Sequence, residues 1–198
     1  MKKSFLFLYL FFCGFILCPV YGQWSRTYIG DGNEGASSVV ALQNQGYIVA
    51  GATNSWGAGA ADFYVLKLKN NGSFGWQKTY GGFEEDSAWS VIETRLGNYI
   101  VAGETYSFGQ GAADYWVLKL KPNGSVNWQK TLGGTSDDVA RSVTQAIDGG
   151  YAVAGYTSSF GKGLKDIWLI KLSKEGEIEW QKTYGGKKDD AASVMYHK

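Results

Sequence analysis

The feature that most constrains this chain is an internal repeat of fixed length. Four tryptophans stand 52 residues apart, at Trp24, Trp76, Trp128 and Trp180. The last three each open the phrase Trp-Gln-Lys-Thr, and a Gly-Gly pair follows it one residue later. A period of this length is typical of a supersecondary unit that is stacked several times and buries its faces on its neighbours. Residues that recur in every copy are therefore expected to be architectural, and specific chemistry is expected where the copies differ.

Each copy of the repeat is predicted to contain four β-strands. In the third copy the strands are expected over 140–145, 151–156, 166–172 and 178–184, separated by short turns rich in Gly, Asn and Asp. Short strands between such turns are typical of antiparallel hairpins. No stretch with helical periodicity interrupts them, so an all-β fold is predicted.

The third strand of each copy predicts how the sheets pack. In the first copy, one face carries Tyr64, Leu66 and Leu68, whereas the other begins with Phe63 and Val65. A strand that is apolar on both faces belongs to a sheet covered on both sides. We therefore predict a β-propeller of four-stranded antiparallel blades, with about three complete blades plus partial ones. A β-trefoil or a three-sided β-prism is the alternative, because both are also built from four-stranded units.

The repeat resembles a known group of exported bacterial and archaeal β-propeller proteins. Their pattern reads W-Q-K-T-x-G-G, an acidic pair, G-G-Y-x-V-A-G and D-x-x-x-x-K-L, and it covers essentially all of residues 24–198 here. Matching positions include the segments 47–51, 99–103 and 151–155, together with Asp62, Asp114 and Asp166. The resemblance implies a scaffold fold, and it implies no particular activity.

The first residues have the composition of an export signal. Lys2 and Lys3 precede an uncharged apolar run, and the segment 1–22 is predicted to be a signal peptide that is cut before Gln23. A membrane anchor and lipid attachment at Cys18 are the alternatives. Both cysteines of the chain lie in this segment, so the repeat domain, 23–198, has neither a disulfide nor a thiol nucleophile. The predicted location is outside the cytoplasm: secreted, periplasmic or on the cell surface.

The repeats do not fill a closed ring. The domain begins with the last strand of a copy, and the copy that starts near Trp180 is incomplete. The segment after Asp190 is also one residue shorter than its counterpart after Asp138, and a one-residue slip reverses which side chains face the core. We expect a truncated or partial member of a longer family. The alternative is that several chains assemble to close the ring.

Charge and composition exclude several function classes. The net charge of the full chain is +1, and no basic stripe is present, which argues against nucleic acid as a partner. The only histidine is His197, outside the repeat pattern, so the usual general base and any Ser-His-Asp triad are missing. No enzyme is predicted. Glycoside hydrolysis by a pair of carboxylates is the less favoured alternative.

One end of the predicted blades collects a candidate ligand face. It would be formed by the rings of Trp56, Phe108 and Phe160 together with the carboxylates of Asp86 and Asp138. Aromatic rings beside carboxylates suit a carbohydrate, although the same residues could simply plug gaps and cap turns. Three further aspartates are interpreted as structural turn caps, namely Asp62, Asp114 and Asp166. No metal ion or cofactor is predicted.

The sequence therefore predicts an exported, non-catalytic β-propeller repeat protein that serves as a binding or surface scaffold. The alternative function is a carbohydrate-binding, lectin-like module. Glycans or cell-surface proteins are the expected partners, with no stable membrane span after signal cleavage and with oligomerisation if the ring is to close.

Overall fold

A computed structural model describes residues 24–28 and 30–192. The predicted signal peptide, Cys18 and the shortened segment from 193 onward lie outside these residues. The described part contains twelve β-strands and no helix. The strands are β1 (Glu34–Ala41), β2 (Tyr47–Thr53), β3 (Asp62–Leu68), β4 (Phe74–Tyr80), β5 (Asp86–Glu93), β6 (Tyr99–Thr105), β7 (Asp114–Leu120), β8 (Val126–Leu132), β9 (Asp138–Gln145), β10 (Tyr151–Thr157), β11 (Asp166–Leu172) and β12 (Ile178–Tyr184).

The strands form three separate four-stranded sheets in which all neighbours are antiparallel. Each sheet follows the order of the chain, with β1 to β4 in the first, β5 to β8 in the second and β9 to β12 in the third. The register is also repeated: Tyr47, Tyr99 and Tyr151 each pair with the last leucine of the next strand. The prediction of an all-β fold with four antiparallel strands per repeat is confirmed.

A β-bulge interrupts the pairing between the first two strands of every sheet. The register shifts between Ala36 and Ser38 in the first sheet and between Ala88 and Ser90 in the second. In the third sheet the shift leaves Arg141 with no residue opposite it on β10. Each first strand thus carries one extra residue, which is Ser37, Trp89 or Arg141. A bulge re-aims the side chain of its extra residue and is often found beside functional sites.

The apolar core lies between consecutive sheets. Phe63 and Val65 of β3 pack with Trp116 and Leu118 of β7 in a single buried cluster between the first and second sheets. The opposite face of β7 carries Tyr115, which is buried in a second cluster between the second and third sheets. The third strand of the middle sheet is therefore covered on both faces, as the sequence predicts.

A repeated tryptophan ties each sheet to the next. The Nε1 of Trp76, on β4, donates to the carbonyl of Pro122 at 3.0 Å, in the turn between β7 and β8. The hydroxyl of Tyr80 donates to the carbonyl of Gly124 in the same turn at 2.6 Å. Trp24 and Trp128 make the equivalent bonds to the turns of the first and third sheets. The fourth tryptophan of the series, Trp180, is 43% exposed.

The two kinds of tryptophan predict a difference in stability. Trp76→Ala removes a packed ring and its hydrogen bond between sheets, so we expect the free energy of unfolding to fall by about 2–4 kcal/mol. Trp180→Ala is the matched control, and it should cost less than about 1 kcal/mol because its ring lies on an open face. Urea unfolding of both variants measures this difference, and equal losses would contradict the inter-sheet role.

Candidate functional site

The aromatic residues of the predicted ligand face lie in the loops that follow the second strand of each sheet. Their rings rest on the third strand of the same sheet, with centroid distances of 5.3 Å from Trp56 to Tyr64 and 5.2 Å from Phe108 to Trp116. Phe160 packs on Trp168 in the same way. Between 38% and 43% of these three side chains is exposed. Each ring covers the end of its own sheet and leaves one side accessible.

The two carboxylates of the predicted ligand face are enclosed beneath these loops. Asp86 has no exposed surface, and its Oδ2 accepts hydrogen bonds from the backbone of Gly82 and the hydroxyl of Ser107, both at 2.8 Å. Asp138 is equally buried and has equivalent partners in Gly134 and Ser159. Since Ser107 directly precedes Phe108, carboxylate and ring belong to the same end of the sheets. That they bind a ligand together stays a prediction.

The three aspartates interpreted as turn caps hold the glycine-rich loops. The Oδ2 of Asp114 accepts hydrogen bonds from the backbone of Gln110 at 2.8 Å and of Gly111 at 3.4 Å. Asp62 and Asp166 bond in the same way to their own loops. Each of these aspartates begins a buried strand, so one carboxylate oxygen fixes both the strand start and the loop before it.

The caps also meet the enclosed carboxylates across the seam between sheets. A Cβ added to Gly133 would clash with Oδ1 of Asp114 and would come within 2.8 Å of Oδ2 of Asp138. Gly81 separates Asp62 from Asp86 in the same manner. The Oδ1 atoms of these four aspartates are buried, and no described residue donates a hydrogen bond to them. Burial raises the pKa of Asp114, and the charge of Asp138 raises it further.

The residues that differ between the copies come together where the bulges of β5 and β9 contact each other. The guanidinium carbon of Arg141 is 4.0 Å from the ring centre of Trp89, so the extra residues of β5 and β9 stack on each other. The Nε1 of Trp89 donates to Oε1 of Glu104 at 3.0 Å. The ring of Tyr156 lies 5.9 Å from Arg141 and 4.4 Å from the Nζ of Lys165. We call these five residues the bulge cluster.

Tyr106 and Asp137 lie near Glu104 at the edge of the bulge cluster. Burial raises the pKa of Glu104, against the effects of the Trp89 hydrogen bond and the Arg141 charge. Burial also raises the pKa of Tyr106, as do the nearby charges of Glu104 and Asp137. Tyr106 is 43% exposed, so an aromatic ring beside the cluster is accessible at the surface.

These residues occupy positions at which the copies differ. The bulge position holds Ser37, Trp89 and Arg141 in the three sheets, and the position of Glu104 is Ala52 in the first copy and Tyr156 in the third. Reasoning from the sequence did not select them, because it concentrated on residues that recur in register. The signal that could have found them is variation at a single position of an otherwise uniform repeat.

No metal site of the usual kind occurs among residues 24–28 and 30–192, where no group of three or more His, Cys, Asp or Glu side chains is arranged to hold an ion. The same residues include no helix long and apolar enough to cross a membrane.

No protein-family model matches the chain. No curated protein matches it either.

The close approach at the seam predicts that Gly133 tolerates no side chain. Asp114 is held by its backbone hydrogen bonds and cannot move aside, so we expect Gly133→Ala to lower the free energy of unfolding by about 1–3 kcal/mol. Gly35→Ala is the control, because nothing lies within 4 Å of its added Cβ, and its effect should stay within about 0.5 kcal/mol. Equal unfolding curves for the two variants would contradict the seam geometry.

The buried carboxyl of Asp114 predicts a pH-dependent stability. Its folded-state pKa lies above the ordinary value of 3.8, so its contribution to stability is complete below that pH and is lost as the pH rises through the raised pKa. We therefore expect Asp114→Asn to gain stability relative to the unsubstituted protein as the pH rises from 3.8 towards neutrality.

The control for this experiment has the opposite sign. The Lys171 ammonium, 2.8 Å away, lowers the pKa of Asp148, so its contribution is present at neutral pH and is lost on acidification. Asp148→Asn should therefore lose stability relative to the unsubstituted protein over the same rise in pH. Unfolding in urea at a series of pH values measures both slopes, and parallel slopes would refute the assignment.

Proposed function

We propose that this chain is an exported, non-catalytic β-propeller repeat protein that binds a ligand at the bulge cluster. One observation carries the proposal: two bulged residues that vary between copies, Trp89 and Arg141, stack on each other within an otherwise repeated framework. Bulges that re-aim side chains are typical of functional sites. The repeated residues around them have structural partners and leave the variable ones to provide specificity.

The contacts between first strands support the propeller arrangement. The hydroxyl of Ser38 on β1 accepts a hydrogen bond from the backbone of Val91 on β5 at 3.2 Å. Ser90 on β5 accepts the same bond from Val143 on β9, also at 3.2 Å. First strands that adjoin in this way are expected if they line a common axis, with the fourth strands outermost. In such an arrangement the bulged residues point towards neighbouring blades near the axis.

The apolar outer face of the first sheet is consistent with further blades. It borders a pocket of about 440 Å³ with an apolar lining that includes Tyr47, Val49 and Leu66. The corresponding face of the second sheet, with Tyr99, Val101 and Leu118, is buried against the first sheet. A partial propeller within a longer ring and a ring closed by several chains both account for this face.

Carbohydrate binding is the second candidate, and the composition of the bulge cluster together with the neighbouring Tyr106 favours it. Trp89, Tyr106 and Tyr156 supply rings on which the C–H faces of sugars could lie, and Glu104 supplies an acceptor for hydroxyl groups. A glycoside hydrolase would need two carboxylates with separate roles on opposite sides of the scissile bond. The contacts of Glu104 support a binding role more directly than a catalytic one.

Binding to a printed glycan array, followed by titration of the glycans retained, tests the proposal. Trp89→Ala should weaken binding by about tenfold or more, because truncation of a central aromatic contact usually has an effect of that size. Leu96→Ala is the control: this side chain is 86% exposed, in the turn at the opposite end of β5. Binding that Trp89→Ala leaves unchanged would refute the assignment of the site.

A further inference from the structure

We infer that the bulge cluster recognises an acidic saccharide, whose carboxylate is bound by Arg141 and Lys165 while its ring lies on the cluster's aromatic side chains. The inference rests on the proposed function, because it names the ligand class of the same site. The two cations of the cluster, Arg141 and Lys165, form no ion pair with any residue that the structure describes.

The guanidinium of Arg141 is oriented without its N–H groups being used. It lies against the face of Trp89 and approaches the ring of Tyr156. Among the residues that the structure describes, it makes no hydrogen bond and no ion pair. Stacking holds a guanidinium by its face and leaves the N–H donors in its plane, where they match the two oxygens of a carboxylate. Arg141 is therefore pre-organised for an anion.

A second cation lies beside the same ring. The Nζ of Lys165 is 4.4 Å from the ring centre of Tyr156, and the described residues include no ion pair to it. Lys165 comes from the loop before β11, whereas Arg141 is on β9, so separate segments bring the two cations to one aromatic ring. The corresponding positions of the second copy are Trp89 and Ala113, which carry no charge. The cationic pair is thus specific to one copy.

The surrounding acids favour a ligand with a single negative charge over a polyanion. Three carboxylates, those of Glu104, Asp137 and Glu85, lie close enough to raise the pKa of Tyr106. Their charges offset those of Arg141 and Lys165 and would repel a dense row of phosphates. The same carboxylates can accept hydrogen bonds from hydroxyl groups. Aromatic rings for stacking, carboxylates that accept hydrogen bonds from hydroxyl groups, and the guanidinium of Arg141 together match a sugar that carries one carboxylate.

Matched saccharide pairs test this inference directly. The full chain is titrated by calorimetry with sialyllactose and its methyl ester, and with galacturonic acid and galactose, so that the two members of each pair differ at a single carboxyl group. We expect an acidic member to bind about 10- to 100-fold more tightly than its neutral partner, the usual range for a hydrogen bond to a charged group. Raising the salt concentration should reduce the preference only partly, because the cations are half-buried.

Substitutions locate the preference within the cluster. Arg141→Gln keeps a planar hydrogen-bonding group but removes the charge, and it should abolish the preference for the acidic member. Lys165→Gln should reduce it, and this second variant serves if Arg141→Gln unfolds, as thermal melting would show. Lys174→Gln is the control, since this exposed lysine lies in the turn before β12, away from the cluster, and it should leave the preference unchanged.

The outcomes separate the inference from the proposed function. Equal binding of both members, with loss of both in Trp89→Ala, would overturn the acidic ligand and leave the binding site standing. A preference that survives Arg141→Gln would also overturn it. If neither member of either pair binds, the acidic saccharide is refuted, while the glycan array still decides whether Trp89 contributes to binding another ligand.

Discussion

The fold depends on strands that have no polar face. In the middle sheet, Tyr115 and Trp116 are neighbours on β7, and they are buried in different clusters on opposite sides of the sheet. Such a strand cannot lie at the surface without exposing a large apolar area, which costs about 25 cal/mol for each Å². The sheets must therefore stack, and Trp76 on β4 and Trp128 on β8 each fix the next sheet by a hydrogen bond to its turn.

A second set of contacts fixes the spacing at the other end of the sheets. Asp114 caps its own loop, and Gly133 allows the chain to pass close by. Asp138 accepts a hydrogen bond from the backbone N–H of Gly134. This arrangement buries two carboxylates beside each other at the seam. Burial raises the pKa of Asp114, and the nearby charge of Asp138 adds to the rise. The seam is stabilised by many backbone hydrogen bonds at the expense of an unfavourable pairing of charges.

The sequence predicts the repeated part of this structure well. Strand content, strand order and the two-sided burial of β7 follow from alternation and turn residues, which are local signals. The bounds of β11 and β12 match the predicted ranges 166–172 and 178–184. The burial of Asp86 was harder to foresee, because an acid in a turn has the same local pattern whether it faces solvent or a neighbouring sheet. The bulge cluster could not be assembled at all, since the contact of Trp89 with Arg141 joins residues 52 positions apart.

The bulge allows one position of a β-sheet to vary while the paired positions stay the same. A residue within the ladder must suit its cross-strand partner, its face and its neighbours, so few exchanges are tolerated there. Ser37, Trp89 and Arg141 stand outside the ladder, which explains how a hydroxyl, an indole and a guanidinium occur at one position of the same framework. Duplication of a repeat therefore also copies a position that is free to diversify. The architecture can acquire new side-chain chemistry one sheet at a time, while the residues that hold the sheets together remain unchanged.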